Sequence, residues 1–215
     1  MTRGRLSRFQ TAVLDGFFAH ERGFFLTGGG ALAGFHLKHR ETTDLDLFTS
    51  SADAFERARL ALPHLANALG GSLSVLQDAP GFRRVALEIK TEALVVDLVR
   101  DIGPQLHAKA EIDGIIVDPV EEIFSNKLTT LVSRQEVRDL IDVLELERLG
   151  LRVEAFLGEA SAKDGGCTPA TLAWLLNQWH LPANLRLPAG YQVEQLRRFK
   201  EELAERMAIA AYPTP

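Results

Sequence analysis

Apolar residues recur at helical spacing near the start of the chain. Leu6, Phe9, Val13, Leu14, Phe17 and Phe18 predict an amphipathic helix over 5–22, ended by Gly23. Phe24-Phe25-Leu26 then reads as a short strand entering the glycine turn Thr27-Gly28-Gly29-Gly30, with Ala31 to Lys38 leaving it as a helix. From Thr43 to Phe48 the period changes to two, so Asp44 and Asp46 share one strand face and Leu45 and Leu47 the other. Ser51 caps a helix over 52–69 that stops at Gly70-Gly71. Three β-rich segments follow, Leu73 to Leu76, Arg83 to Ile89 and Leu94 to Val99. They are separated by Asp78-Ala79-Pro80-Gly81 and by Lys90-Thr91-Glu92, and the last two pair antiparallel. After Pro119 every segment is helical: 119–133, 136–149, 152–161, 168–180 and 191–210. The expected organisation is a mixed α/β part over 1–118 and a helical lobe over 119–215, joined near Asp118-Pro119.

Composition changes this picture little. The 215 residues are 46% hydrophobic, enough to bury a substantial core. A formal net charge of −5 gives no global attraction to nucleic acid, although a local basic patch can exist within an acidic average. The one cysteine, Cys167, sits in the loop-like run Asp164-Gly165-Gly166-Cys167-Thr168-Pro169 and reads as a free structural thiol. No signal-like segment opens the chain, and no apolar run reaches the roughly 18 residues of a membrane span, so a cytoplasmic location without a membrane partner is expected.

The order glycine turn, helix, Asp-x-Asp strand, later strand Asp answers the needs of phosphoryl transfer. Backbone N–H groups of Gly28, Gly29 and Gly30 can approach phosphate oxygens without a Cβ in the way, and Thr27 adds a hydroxyl. Asp44 and Asp46 can hold Mg²⁺ or Mn²⁺ that also grips the triphosphate of an NTP. A second metal needs a third carboxylate. Asp97 supplies it, since one acid within Leu94-Val95-Val96-Asp97-Leu98-Val99 is costly unless it meets a cation or a partner. Arg40, four residues before Asp44, is placed to pair with a carboxylate or to contact the NTP. His36 and His39, with no third ligand nearby in sequence, read as surface or cleft-edge residues. Trp174 and Trp179 read as core, and Arg197-Arg198 with Lys200 as a solvated face balanced by Glu201, Glu202 and Glu205.

The run Phe25-Leu26-Thr27-Gly28-Gly29-Gly30-Ala31-Leu32-Ala33, continued by Phe35 to Phe48 with Asp44-Leu45-Asp46, closely resembles the first motif of AbiEii-type nucleotidyltransferases. Those are the toxin components of type IV toxin–antitoxin and phage abortive-infection systems. A second likeness lies at Lys127-Leu128-Thr129-Thr130-Leu131-Val132-Ser133-Arg134, followed by Arg138-Asp139-Leu140-Ile141-Asp142. The resemblance spans about 20–150. It implies a polymerase-β-like nucleotidyltransferase core with a mixed sheet, then a C-terminal helical lobe, the active site lying between them. It implies that Lys127 neutralises triphosphate charge and that Arg134 follows on the same helix face. Asp139 and Asp142, three apart, face the same cleft, one orienting Lys127 or acting as base toward the acceptor hydroxyl. Asp97 is the other candidate base. Gly30 stands where many relatives carry Ser or Thr, which leaves Thr27 as the hydroxyl source.

The expected function is therefore Mg²⁺-dependent transfer of a nucleotide from an NTP to an acceptor hydroxyl, with release of pyrophosphate. The resemblance implies an RNA acceptor, a tRNA 3′ end in particular, and a cognate antitoxin that forms no stable complex with the toxin. Two rivals remain: an aminoglycoside-type small-molecule nucleotidyltransferase, which the acidic charge suits, and a nucleotide-binding regulatory module that does not turn over. Nothing in the sequence marks an oligomeric state.

Overall fold

The computed structural model describes residues 3–212 and divides into two compact units, with the division between Pro119 and Val120. The first unit begins with α1 (Arg8–His20), whose Ser7 hydroxyl accepts from Gln10 N while the Gln10 side chain accepts from Ser7 N. This reciprocal cap satisfies two otherwise orphaned donors. Gln10 also donates from Nε2 to the Thr42 carbonyl at 2.9 Å, tying α1 to the loop that feeds the acidic strand.

β1 (Phe25–Thr27) runs into α2 (Gly28–Ala31), which continues as a single π-helical turn over Leu32–His36. The glycines thus form the first turn of a helix, where a free-standing turn was expected. β2 (Asp44–Thr49), α3 (Ala52–Ala68), β3 (Ser72–Ala79), β4 (Phe82–Ile89) and β5 (Glu92–Arg100) follow in the predicted order, and the Ser51 hydroxyl accepts from Ala54 N as the α3 cap. Two short strands absent from the sequence reading, β6 (Ala110–Ile112) and β7 (Ile115–Val117), close the unit.

All seven strands form one mixed sheet in the order β3-β4-β5-β2-β1-β7-β6. The β2–β5 and β1–β7 pairs are parallel and the others antiparallel. One sheet face is core. Leu45, Leu47, Val85, Leu87, Leu94, Val96 and Leu98 are buried there, with α1 and α3 packed against the sheet. Burying each such side chain contributes about 1.5–3 kcal/mol. Alternation then sends Asp44, Asp46, Arg84 and Asp97 to the opposite face.

The second unit is helical: α4 (Val120–Ser133), α5 (Val137–Arg148), α6 (Val153–Lys163), α7 (Pro169–Gln178) and α8 (Val193–Ala211). Its core includes Phe124, Leu128, Leu140, Ile141, Leu172, Leu176, Leu196 and Leu203. Trp179 joins that core, but Trp174, expected there too, is 63% exposed. On α7 the buried stripe is Leu172, Ala173 and Leu176, and Trp174 falls on the far side at helical spacing. The α8 basic cluster also differs from the expected solvated face. Lys200 is buried and donates to the Leu176 carbonyl at 2.9 Å, and Arg197 donates to the Leu181 carbonyl, so both satisfy chain ends around α7. Cys167 is a buried free thiol, pushed up to about 12 by burial and then by the Asp164 charge.

Candidate active site

The acidic residues are aligned by sheet register. Asp46 on β2 lies opposite Thr27 on β1 and opposite Asp97 on β5, and Asp97 lies opposite Arg84 on β4. Four adjacent strands therefore contribute one lateral row, Thr27–Asp46–Asp97–Arg84, with Asp44 one step along the same face. Neighbouring strands lie roughly 4.8 Å apart, which sets the spacing between successive members.

Each carboxylate has a local reason for its placement. The Thr42 hydroxyl donates to Asp44 Oδ1 at 2.7 Å, so the loop held by Gln10 orients the first aspartate. Asp46 comes against Gly28: a Cβ there would lie 2.5 Å from Asp46 Oδ2. Gly28 also adopts φ +60°, a conformation glycine enters without steric cost. Asp97 is buried and held by both ends of the Arg84 fork, Nε to Oδ1 at 2.8 Å and Nη2 to Oδ2 at 2.6 Å. The hydrogen bonds to Asp97 raise the Arg84 pKa above its ordinary value against burial, and the charges of Asp97, Asp44 and Asp46 add to the shift.

The glycine segment brings a second cation. A Cβ on Gly29 would lie 3.1 Å from Arg40 Nη2 and 3.3 Å from Thr42 Oγ1, so the buried Arg40 guanidinium sits beside the first turn of α2. Arg40 Nη1 donates to the Glu41 carbonyl at 3.1 Å. Thr27 occupies the cap position of α2 without a side-chain cap bond. A Cβ on Gly30 would point between Leu26 and Leu45, at 3.2 and 3.3 Å, so a side chain at this position enters the core. His36 Nε2 hydrogen-bonds the Asp118 carbonyl at 2.7 Å.

The donor chemistry suits a hard divalent cation: three carboxylates on one face, beside a glycine that leaves room for Asp46. Among the described residues, however, no three metal-ligating side chains are gathered closely enough to close on an ion as they stand. Asp97 is taken by Arg84.

In the helical unit, α4, its exit and α5 bring Lys127, Arg134, Asp139 and Asp142 together. Lys127 Nζ lies 2.6 Å from Asp139 Oδ1 and 2.7 Å from Asp142 Oδ2. Arg134 Nε donates to Asp139 Oδ2 at 2.9 Å. Asp139 and Asp142 are fully buried and the Lys127 side chain is 7% exposed, whereas that of Arg134 is 47% exposed. Burial alone would lower the Lys127 pKa; the charges of Asp142 and Asp139, with their hydrogen bonds, outweigh it and hold the ammonium above its ordinary value. Burial would raise Asp139, but the Lys127 charge and the bonds from Arg134 and Lys127 hold it below the usual carboxylate range. Lys127 thus spends two of its three donors inside the unit, and Arg134 is the cation that reaches solvent.

The family model for the nucleotidyl transferase AbiEii toxin of type IV toxin–antitoxin systems matches residues 12–212. The chain belongs to the AbiEii nucleotidyltransferase toxin family. It is accordingly a nucleotidyltransferase of the toxin type. A comparison with curated protein sequences finds no match. Among solved structures this AbiEii-family chain is similar to a candidate nucleotidyltransferase from H. pylori, at 18% identity and TM-score 0.61, covering 94% of this chain and 96% of that one. It is also similar to JHP933 from Helicobacter pylori, at 20% identity and TM-score 0.56, covering 92% and 88%. MenT4, a nucleotidyltransferase toxin from Mycobacterium tuberculosis, matches at 15% identity and TM-score 0.59, covering 93% and 85%. At these identities the likeness establishes the mixed-sheet nucleotidyltransferase fold. No helix among the described residues is long and apolar enough to cross a membrane.

Two residues of this AbiEii-family site were not singled out from sequence. Thr42 could have been found as a hydroxyl two positions before Asp44. Arg84 could have been found from register, because a two-residue turn at Lys90-Thr91 pairs Ile89 with Glu92 and, counting back, Arg84 with Asp97.

Proposed function

We propose that this toxin-type nucleotidyltransferase moves a nucleotide from an NTP to a hydroxyl of RNA, the tRNA 3′ end in particular, with Mg²⁺ or Mn²⁺. It acts in the cytoplasm as the toxin of a type IV pair whose antitoxin forms no stable complex with it. The observation that carries this reading is the in-register row of Thr27, Asp46 and Asp97, with Asp44 beside it, next to the glycine turn and Arg40.

Asp44, Asp46 and Asp97 hold the divalent ion, which when bound neutralises triphosphate charge and polarises the phosphorus under attack. The first-turn N–H groups of Gly28 to Gly30, with the Arg40 guanidinium and the Thr27 hydroxyl, bind phosphate oxygens. The acceptor oxygen forms a bond to the α-phosphorus, the bond from that phosphorus to the β-phosphate bridging oxygen breaks, and pyrophosphate leaves. Asp97 accepts the proton of the attacking hydroxyl at a carboxylate oxygen. In the helical unit, Asp139, itself held by Lys127, fixes the half-exposed Arg134 guanidinium, which offers a cation to an anionic ligand.

The test is incubation of the protein with each radiolabelled NTP, Mg²⁺ and total RNA, beside a variant carrying Asp44→Ala and Asp46→Ala. Label in RNA with the wild type alone is expected, and it names the base. The net charge of −5 favours a cationic small-molecule acceptor as the second reading, so an aminoglycoside arm runs in parallel. Label appearing only there replaces the RNA reading.

A further inference from the structure

Arg84 has no part in the motifs that identify the family, yet it is in direct contact with the acidic row through Asp97. Its guanidinium spends Nε and Nη2 on the two oxygens of Asp97, and it lies in the field of Asp44 and Asp46 as well. Asp44, Asp46 and Asp97 share this face with two guanidiniums close by, Arg84 on Asp97 and Arg40 beside the glycine segment. The Asp97 side chain is 8% exposed, so its charge would be costly without a partner. The Arg84 side chain is 44% exposed, so it can leave for solvent at small cost. A buried acid and a half-exposed cation make an exchangeable pair.

We propose that Arg84 is a positioning residue that stands in for the divalent cation: it neutralises Asp97 while the site is empty and gives Asp97 up when metal and nucleotide enter. This rests on the reading that Asp44, Asp46 and Asp97 hold the ion. The geometry supports exchange over simple bracing because Arg84 supplies the charge partner of a buried carboxylate from a half-exposed side chain, which can leave for solvent once an ion supplies that charge instead. Removing the guanidinium then removes both a competitor for Asp97 and a positive charge next to the metal position, and each effect tightens metal binding. A guanidinium that merely braced Asp97 would have the opposite sign, since its loss would let the ligand wander and weaken the metal.

Mn²⁺ binding to the full chain, followed by the free-ion electron paramagnetic resonance signal, separates these outcomes. Arg84→Gln is expected to bind Mn²⁺ at least ~10-fold more tightly than wild type by the removal of one like charge. Arg84→Lys keeps the charge but loses the fork, and should fall between the two. Equal or weaker binding by Arg84→Gln overturns the exchange. Wild-type binding unaffected by Asp44→Ala with Asp46→Ala would instead overturn the metal reading itself, a separate failure. A second measurement needs no variant: the Arg84 Nε–H resonance in ¹⁵N spectra is expected to lose its hydrogen-bonded shift on saturation with Mg²⁺ and NTP. Persistence of that shift at saturation rejects the proposal.

Discussion

Replacing Lys127 with methionine tests the energetics of the buried network directly. The side chain keeps its approximate length but loses the charge, so Asp142 loses the ammonium at 2.7 Å while Asp139 keeps Arg134 at 2.9 Å. Breaking a buried pair by removing one partner costs about 3–5 kcal/mol, and the retained Arg134 places this case near ~3 kcal/mol. At about 2–4 °C per kcal/mol for a chain of this length, the midpoint should fall by about 6–12 °C. Thermal unfolding followed by tryptophan fluorescence reads that shift, and urea unfolding the free-energy deficit, because Trp174 and Trp179 both lie in the helical unit and Trp179 is buried. The pH dependence follows from the shifts. Asp139, lowered from 3.8, contributes stability that is present above that value and is lost as pH falls through its depressed folded value. Lys127, raised from 10.5, contributes stability that is present below that value and is lost as pH rises through its elevated folded value. Between these limits the wild-type contribution is flat. In Lys127→Met, buried carboxylates without the ammonium favour protonation, so the deficit should shrink as pH falls from about 7 toward about 4.5. Adding Asp142→Asn should recover much of the loss. A deficit below about 1 kcal/mol at neutral pH, or one that grows on acidification, would refute the coupling.

Two further outcomes are expected. Gly28→Ala forces a side chain into a left-handed backbone and against Asp46 Oδ2, costing about 1–2 kcal/mol from the backbone term alone; a melting curve gives the loss, and nucleotide transfer should fall with it, whereas full activity would show that Asp46 need not stay where it is. Cys167, buried with its thiol pushed up to about 12, should resist alkylation by iodoacetamide in the folded protein and react once urea unfolds the chain; rapid native labelling would contradict its placement.

Much of this architecture is written locally. The period-two run at Asp44–Phe48, the Ser51 cap and the five helical stretches after Pro119 each depend on neighbours within a few residues, and each appears where periodicity puts it. The glycine run misled because three glycines lower helix propensity, while burial of Gly29, Gly30 and Ala31 and packing of α2 against β2 impose a helix regardless. The hairpin of β6 and β7 was overlooked, although Ile112-Asp113-Gly114-Ile115 is an Asp-Gly turn between apolar residues, with φ of +50° and +80° at its centre. Three-residue strands carry too little alternation to announce themselves. On the shared sheet face, Asp44 and Asp46 were legible because their spacing is local and Asp97 because it is a lone acid in an apolar strand, whereas Arg84 acts across a strand pair and Thr42 through a loop, which periodicity does not encode. Lys200 shows the same limit in the helical unit: nearby glutamates suggested a solvated face, but its stem is buried and its ammonium caps a distant carbonyl.

The lateral row of Thr27, Asp46, Asp97 and Arg84 has a consequence for how the protein fails. Its members sit on β1, β2, β5 and β4, interior strands each hydrogen-bonded on both sides. Breathing motions of a folded domain begin at termini, loops and sheet edges, here β3 and β6, and those openings leave the row intact. Dismantling it requires parting the central ladders, an event that coincides with loss of the unit as a whole. A molecule that has kept its sheet has therefore kept its acidic row, and partial opening at the edges leaves the spacing of those side chains unchanged.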